Sequence, residues 1–355
     1  MNLAIFPALG DSFNKMSKTG QDVQLLNEYF SSFLKKYSKI YFFSYENESF
    51  KTSHEHVIVM PNKYKLNRYI YGILMPFIYR NKLQSCNVIR TYHLSGTVPA
   101  IVAKVFFNKS FIFNYGYNYK RFAIIEKKYL QYVMLWIIQP LAILLAKKVF
   151  VASKNNLKIS KKSIYLPNGI NLKQFYPNNK SNLQKPIKLL CVGRLESQKN
   201  YGMLLESISG LNVELTIVGT GQLKFQLLQK AKKTGIPLKI VDMIPHNEIS
   251  SIYKKADIFV MPSLTEGNPK ALLEALASGL PTVGTKVSGI NEIIVNRENG
   301  LLSSLKSSEI RKNILELIND KKLREKLAKN ARESMIAHHD LKKLLQTETI
   351  TLINN

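Results

Sequence analysis

Apolar runs of strand length alternate with amphipathic helical patterns along this chain, and this alternation restricts its fold more than any other feature. Such alternation is typical of a parallel α/β sheet, because consecutive parallel strands are joined by crossovers that are usually helices. The first half is predicted to contain strands at 3–7, 39–44, 56–60, 87–91, 110–114 and 148–152, with helices at 22–36, 69–80 and 98–107. The second half is predicted to contain strands at 188–192, 214–218, 238–241, 258–261 and 282–284, followed by a helical tail from Ser307.

Two domains are expected, since 355 residues is about twice the usual length of one domain. The stretch 166–186 interrupts the alternation with many Pro and Asn residues and is predicted to be a linker. The fold class is therefore α/β, with a doubly wound domain over 1–165 and a second one from 187. Open α/β sheets bind ligands at the carboxyl ends of their strands, so a ligand-binding cleft is expected there.

Positive charge is concentrated in the first half. The formal net charge is +27, and residues 1–165 hold 24 Lys and Arg against 7 Asp and Glu. Three interpretations stay open: a compositional bias, attraction to an anionic membrane surface or lipid-phosphate acceptor, and nucleic-acid binding. No recognition motif accompanies the charge, so we expect no nucleic-acid partner.

The stretch 130–146 raises the question of a membrane span. It is apolar but only 17 residues long, and two glutamines and Pro140 interrupt it, so a buried or interfacial helix is favoured. The first residues are predicted to form a strand rather than a secretion signal. Cys86 and Cys191 follow no metal or redox spacing, which favours a reduced, cytoplasmic protein.

A loop and helix start after the predicted strand 258–261 form the strongest candidate site. The sequence there is PSLTEGNPKALLEALASGLP, and the helix is predicted to begin near Pro269, where its free N–H groups suit a phosphate. Glu266 lies in the loop and Glu274 on the helix, and a carboxylate can accept hydrogen bonds from the two hydroxyls of a sugar diol. As an alternative, both are merely solvated charges, but Glu274 stands in an apolar run where an ionised group needs a partner.

A second candidate site follows the predicted strand 188–192. Gly193 ends the strand, and Arg194 and Lys199 follow in the loop. Two cations directed at one point suit a diphosphate and would stabilise its developing charge as it leaves. Alone, this pattern is equally compatible with ordinary surface charges.

These motifs resemble glycosyltransferase family 4, whose members are retaining enzymes with the GT-B fold. The matching segments appear in the family's order across 166–302: LPNGIN, VGRL with Lys199, IVGTG, ADIFVMPS, Glu266 and Glu274 with seven residues between them, GLP, GINE and NG. The resemblance implies two Rossmann-like domains facing across a cleft, with the donor-binding domain at 187–335. It also implies that the C-terminal helix, about 336–355, returns to the first domain.

The resemblance further implies roles for individual residues. Arg194 and Lys199, with Gly193 beside them, would hold the donor diphosphate, Glu274 the ribose hydroxyls and Glu266 the transferred sugar. The remaining donor contacts would come from Gly267, Asn268, Pro269 and Lys270 for sugar and phosphate, and from Met243 and Ile244 for the base. No metal or other cofactor is expected, and a UDP-sugar is favoured over a GDP-sugar as co-substrate.

The first half matches the family less closely. Thr19 and Gly20 correspond to the glycine loop near the donor phosphates, with Thr19 where a glycine is common. Tyr115 stands where many members carry a histidine, which puts that polar contact in doubt. His93 is predicted to serve either as a cleft residue or as a structural helix-start residue, and Tyr117 either as acceptor-side surface or as a solvated loop residue.

The sequence thus predicts a retaining hexosyltransferase acting on a glycan or lipid-linked acceptor in cell-surface polysaccharide or lipopolysaccharide biosynthesis. We expect it to be peripheral at the inner face of the cell membrane. The alternatives are a degenerate member that binds nucleotide sugars as a scaffold, and a sugar-nucleotide epimerase on the same fold.

Overall fold

The computed structural model describes residues 1–18, 20–49, 54–178, 183–242, 244–245 and 248–354. The chain forms two compact units. Unit 1 comprises Met1–Lys120, Tyr129–Pro167 and Lys342–Asn355, and unit 2 comprises Arg121–Lys128 and Asn168–Leu341.

Among the described residues, unit 1 contains a seven-stranded parallel sheet with the order β3-β2-β1-β4-β5-β6-β7. Its central strands are buried along most of their length, as expected for a sheet covered on both faces. The strands are β1 (Asn2–Phe6), β2 (Lys39–Phe43), β3 (Val57–Met60), β4 (Val88–Thr91), β5 (Phe111–Tyr115), β6 (Lys148–Val151) and β7 (Ser163–Tyr165).

Helices lie between these strands along the chain. They are α1 (Phe13–Ser17), α2 (Gln21–Gln24), a π-helical turn (Leu25–Phe30), α3 (Ser31–Phe33), α4 (Arg68–Ile78), α5 (Arg80–Gln84), α6 (Thr97–Phe107), α7 (Tyr119–Ile125) and α8 (Tyr129–Leu145). Short 3-10 turns lie at Leu94–Gly96 and Lys154–Ile159. From Arg121 to Lys128 the chain belongs to unit 2.

The described part of unit 2 contains a six-stranded parallel sheet with the order β10-β9-β8-β11-β12-β13. Its strands are β8 (Ile187–Val192), β9 (Val213–Val218), β10 (Leu238–Val241), β11 (Ile258–Met261), β12 (Thr282–Thr285) and β13 (Leu301–Ser303). The later helices are α9 (Tyr201–Ile208), α10 (Lys224–Thr234), α11 (Ile249–Lys255), α12 (Lys270–Ala277), α13 (Ser307–Asn319), α14 (Lys321–His338) and α15 (Leu341–Ile353), with a 3-10 turn at Ser197–Lys199.

The structure differs from the sequence prediction in several places, among them the helix predicted at 22–36, which is divided into α2, the π-helical turn and α3. Strands β7 and β13 were not predicted, because three-residue strands carry too little periodicity to be recognised. The helix predicted as one piece at 69–80 is two helices, α4 and α5, with Tyr79 between them outside helical geometry. The predicted linker 166–186 is largely part of unit 2, because Ile170 and Phe175 are buried in its core.

The C-terminal segment from Lys342 belongs to unit 1. A fully buried ion pair attaches it there: Arg90 Nε, on β4, donates to Glu348 Oε1 at 2.7 Å. The same guanidinium also donates to the Thr91 carbonyl and to Asn114 Oδ1, both at 2.6 Å. The buried Arg90 side chain on β4 therefore holds helix α15 against the sheet through Glu348.

Candidate functional site

Helix α12 follows β11 through the loop that carries Glu266. Its apolar residues Leu272, Leu273 and Leu276 are fully buried, which fixes the helix against the core of unit 2. The N-cap residue is Pro269, with φ −72° and ψ 114°, and helical geometry begins one residue later than Pro269, at Lys270. The first-turn N–H groups have no intrahelical acceptor and form an electropositive end, as such groups do at any helix start.

Two neighbouring segments fix the loop that precedes α12. From the 3-10 turn, Gln198 donates its Nε2 to the Thr265 carbonyl at 2.6 Å and accepts the Leu264 N–H at 2.8 Å. From the other side, the Ser288 carbonyl accepts the Glu266 N–H at 3.1 Å. Glu266 therefore lies in a loop whose backbone is hydrogen-bonded on both sides.

Gly289 lies directly against this loop. Its φ is +83°, and a Cβ at this position would lie 2.4 Å from the Gly267 carbonyl oxygen and 2.5 Å from that of Glu266. Only glycine fits both this left-handed conformation and this close approach. The GINE motif thus supports the position of Glu266.

Lys199 and Glu266 meet in an ion pair, with Lys199 Nζ 2.6 Å from Glu266 Oε1. The two side chains are 12% and 8% exposed, so both charges are largely removed from water. The structure therefore brings together the cation of one predicted site and the carboxylate of the other.

Gly193 makes room for the lysine. Its φ is +155°, and a Cβ would lie 2.9 Å from Lys199 Cε and 3.0 Å from Tyr201 Oη. Arg194 has a different partner: its side chain is 57% exposed, and its Nη1 donates to Glu196 Oε1 at 3.0 Å. Of the two predicted cations, Lys199 thus pairs with Glu266, whereas Arg194 is half-exposed and bonded to Glu196.

Glu274 is 4% exposed, and its partner is a buried tyrosine on α11. Tyr253 Oη donates to Glu274 Oε2 at 2.7 Å. Burial, and next the Glu274 charge, raise the pKa of Tyr253 well above its ordinary value, so the phenol stays a hydrogen-bond donor. Tyr253 was not predicted as a site residue, because nothing in the sequence around it distinguishes it from other apolar helix positions.

The other predicted donor residues lie along the same segments. Asn268 is buried and accepts the Asn168 N–H at 2.9 Å through Oδ1, which connects the LPNGIN motif to the loop. Lys270, partly exposed at the start of α12, forms no ion pair with any described residue. Ile244 packs against the core of unit 2, and Met243 lies outside the described residues.

In unit 1, Gly20 precedes α2 with φ +68°, and Thr19 lies outside the described residues. His93, Tyr115 and Tyr117 surround the ring of Tyr119, at centroid distances of 4.9, 5.5 and 4.2 Å. His93 Nδ1 accepts the Ser95 N–H at 3.1 Å and so caps the turn Leu94–Gly96. Burial lowers the pKa of His93 to about 4 and raises that of Tyr115.

Among the described residues, no three His, Cys, Asp or Glu side chains come close enough to form a metal-binding group. Within the same residues, no helix has both the length and the apolar character needed to cross a bilayer.

Comparison with known proteins shows which families and structures this part of the chain resembles. Residues 173–334, all within unit 2, match the family model described as glycosyl transferases group 1. An alignment over 189 residues shows 32% identity to the UDP-Gal:alpha-D-GlcNAc-diphosphoundecaprenol alpha-1,3-galactosyltransferase of Escherichia coli, covering 48% of this chain and 49% of that protein. The chain spans about half the length of the curated relatives that it matches, or less.

Solved structures match over the whole chain. Sucrose-phosphate synthase from Thermosynechococcus elongatus superposes with a TM-score of 0.81, at 17% identity, over 99% of this chain and 98% of that one. HepE of Anabaena, solved in complex with UDP-glucose, superposes with a TM-score of 0.78, at 16% identity, over 100% of both chains. The predicted GT-B fold is confirmed.

Proposed function

We propose that this protein moves a hexose from a nucleotide-sugar donor to a glycan or lipid-linked acceptor, because residues 173–334 match the family model for glycosyl transferases group 1. The observation that carries the proposal is the pairing of Lys199 with Glu266 beside the start of α12, with Glu274 further along that helix. The cluster combines cations for a diphosphate with carboxylates for sugar hydroxyls.

The donor diphosphate is assigned to Lys199, Lys270 and the first turn of α12. A leaving nucleoside diphosphate gains negative charge as its bond to the sugar C1 breaks, and fixed cations and N–H dipoles stabilise that charge most in the transition state. Arg194 joins them by exchanging its Glu196 partner for phosphate oxygens. That exchange requires little free energy, because exposed ion pairs contribute only about 0–1 kcal/mol.

The two carboxylates are assigned to the hydroxyls of the donor. Glu274, held by Tyr253, accepts the two ribose hydroxyls, and Glu266 accepts hydroxyls of the transferred hexose. In the free protein, Lys199 balances the Glu266 charge. In the donor complex, phosphate would contact Lys199 and sugar hydroxyls would contact Glu266, so the carboxylate keeps hydrogen-bonding partners. Retention of configuration is part of the proposal: the acceptor oxygen joins C1 on the face that the diphosphate leaves, and its proton passes to the departing phosphate.

UDP is the favoured nucleotide. HepE, which shares the fold, was solved with UDP-glucose, and the Escherichia coli relative is named for UDP-Gal. Met243 and Ile244 are proposed to contact the base.

A lipid-linked acceptor is favoured by two observations. The Escherichia coli relative is named for an acceptor on diphosphoundecaprenol, and residues 61–165 of this chain hold 18 Lys and Arg against one acidic residue, Glu126. The tyrosines around Tyr119 are proposed to form acceptor-side surface, since aromatic faces pack well on sugar rings. We place the enzyme peripherally at the inner membrane face, where a lipid-linked acceptor and the basic residues would meet anionic lipid.

The experiment is a transfer assay with a panel of nucleotide sugars and a lipid-linked acceptor, comparing wild type with Glu274→Ala and Arg194→Ala. Both variants are expected to lose at least about 100-fold in turnover, while Glu206→Ala, at an exposed charge on α9, keeps wild-type turnover. Unchanged turnover in both site variants would refute the assignment. Nucleotide-sugar binding without turnover on any acceptor would instead support a scaffold protein. The anomeric configuration of the product, read by NMR, tests retention.

A further inference from the structure

Helix α8 presents an apolar stripe to solvent. Leu130, Val133, Ile137, Leu141 and Leu144 recur at helical spacing along one side, and each is between 41% and 78% exposed. The buried residues of the helix are Leu135 and Ala142, seven positions apart on another side. A surface helix normally directs its polar side to water, so α8 has the reverse arrangement.

Helix α4 repeats this arrangement. Tyr69, Ile70, Ile73, Leu74 and Phe77 are 40–53% exposed, and they occupy one side of the helix. The opposite side is buried and contains Tyr71, Gly72, Met75 and Pro76. Two helices with outward apolar stripes in one unit are more than the scattered apolar residues of an ordinary surface.

Helix α6 connects the two stripes. Its C-terminal residues Val105 and Phe106 are 62% and 63% exposed, and the Phe106 ring lies 5.0 Å from that of Phe77 on α4. We use "apolar face" for the exposed apolar residues of α4, α6 and α8 together.

The borders of the apolar face are basic and aromatic. Arg68 is the first residue of α4, Arg80 lies two residues beyond its end, and Lys147 follows α8. Lys120 Nζ lies 3.3 Å from the centroid of Trp136, an α8 residue that is 57% exposed. Neither helix contains an acidic residue.

We propose that the apolar face docks on a bilayer that contains anionic lipid, with α4 and α8 lying in the plane of the interface. Apolar stripes enter the boundary of the acyl chains while flanking Lys and Arg meet the lipid phosphates. Tyr69, Tyr129 and Trp136 supply the aromatic side chains that favour this depth. At 17 residues, α8 is about 26 Å long, which suits contact along the surface.

Charge favours lipid over a second copy of this chain as the occupant. With 18 cations against one carboxylate in 61–165, two copies joined through the apolar face would bring like charges together. An anionic bilayer complements the same charges. The inference deepens the proposed function, on whose placement at the membrane it rests, by naming the surface that makes the contact. Its test uses neither donor nor acceptor, so a failure of docking can be distinguished from a failure of sugar transfer.

The test uses the full chain with vesicles of phosphatidylcholine alone or with about one third phosphatidylglycerol. Trp136 is the only tryptophan of the chain, so its fluorescence reports directly on the apolar face. We expect flotation with the anionic vesicles, a blue shift of Trp136 emission, and quenching by lipids brominated on the acyl chain.

The matched variants distinguish docking through α8 from non-specific adsorption by exposed apolar residues elsewhere. The triple variant Leu130→Gln, Ile137→Gln, Leu144→Gln changes three exposed residues of one stripe to a good helix former, so α8 should persist. We expect it to bind anionic vesicles at least about tenfold more weakly. The control triple Phe225→Gln, Ile336→Gln, Ile350→Gln, exposed on other helices, should bind like wild type.

Three outcomes would overturn the proposal: no flotation of wild type, flotation that the α8 triple leaves unchanged, or Trp136 emission unaffected by bound vesicles. Sedimentation velocity without vesicles should show a monomer. An oligomer that the α8 triple dissociates would show that a second copy covers the apolar face instead.

Discussion

Lys199 Nζ lies 2.6 Å from Glu266 Oε1, so two residues 67 positions apart form one ion pair that is largely removed from water. Removing one member of such a pair leaves an uncompensated charge, which is more damaging than removing both. The pair therefore links the stability of unit 2 to its proposed donor chemistry.

Lys199→Met is expected to lower the free energy of unfolding by about 3 kcal/mol, because the Glu266 carboxylate is left without its partner. The double variant Lys199→Met, Glu266→Gln should recover most of that loss without recovering nucleotide binding. Denaturant unfolding and calorimetric titration of UDP measure the two effects. Equal destabilisation in the single and double variants would contradict the account.

Tyr253→Phe is expected to weaken UDP binding about tenfold, because Glu274 loses a hydrogen bond to its charged form that is worth about 1.5–3 kcal/mol. The turnover number at saturating donor should change little. Tyr71→Phe is the control, since the Tyr71 hydroxyl is buried in unit 1 without a hydrogen-bond partner among the described residues. Wild-type affinity in Tyr253→Phe would show that the tyrosine does not position Glu274.

Gly289→Ala is expected to abolish most transfer activity, because its Cβ would displace the carbonyls of Gly267 and Glu266. Gly210→Ala provides the comparison: Gly210 has φ +74°, similar to the +83° of Gly289, but a Cβ there meets no atom within 4 Å. Both variants should lose stability through backbone strain of about 1 kcal/mol. Only Gly289→Ala should lose activity, and equal activities would show that the contact with the Glu266 loop is unimportant.

Glu348→Gln is expected to destabilise unit 1 by about 3–5 kcal/mol, because Arg90 would keep a buried, unpaired charge. Glu206→Gln removes the partner of Lys230 in an exposed pair and should change stability by less than about 1 kcal/mol. Thermal unfolding of both variants checks the difference. Similar melting temperatures would mean that the Arg90–Glu348 pair does not hold α15 in place.

His93 should make the protein less stable in acid. Its folded-state pKa is about 4, against an ordinary value of 6.5, so the unfolded chain takes up the proton first as pH falls. The stabilisation is complete above pH 6.5 and is lost progressively towards pH 4. His93→Gln should make melting temperature less dependent on pH in that window. Burial also lowers the pKa of His339, so part of the dependence of melting temperature on pH should remain in the His93→Gln variant.

The parallel sheets were predictable from sequence because their buried strands are continuous apolar runs bounded by turn residues. Glu266 and Glu274 could be found for a similar reason, since both stand in a loop-and-helix motif with fixed spacing. The β7 and β13 strands could not, because their pairing is decided by neighbours far along the chain.

The contacts between distant segments were also beyond the sequence. Nothing near Tyr253 indicates that its hydroxyl would reach Glu274, and nothing near Arg90 indicates Glu348 as its partner. Likewise, 130–146 predicted a buried or interfacial helix, but only the folded chain shows which side of it is exposed. Such relationships depend on packing rather than on local propensity.

The most direct test of the central claim is calorimetric titration of nucleoside diphosphates and nucleotide sugars into the wild-type protein and Glu274→Gln. The substitution keeps the size of the side chain and a hydrogen bond to Tyr253, so the variant should stay folded. The account predicts one-to-one binding of UDP and a UDP-sugar to wild type, weakened at least about tenfold in Glu274→Gln. Failure of every nucleotide to bind folded wild type, or equal affinity in the variant, would contradict it.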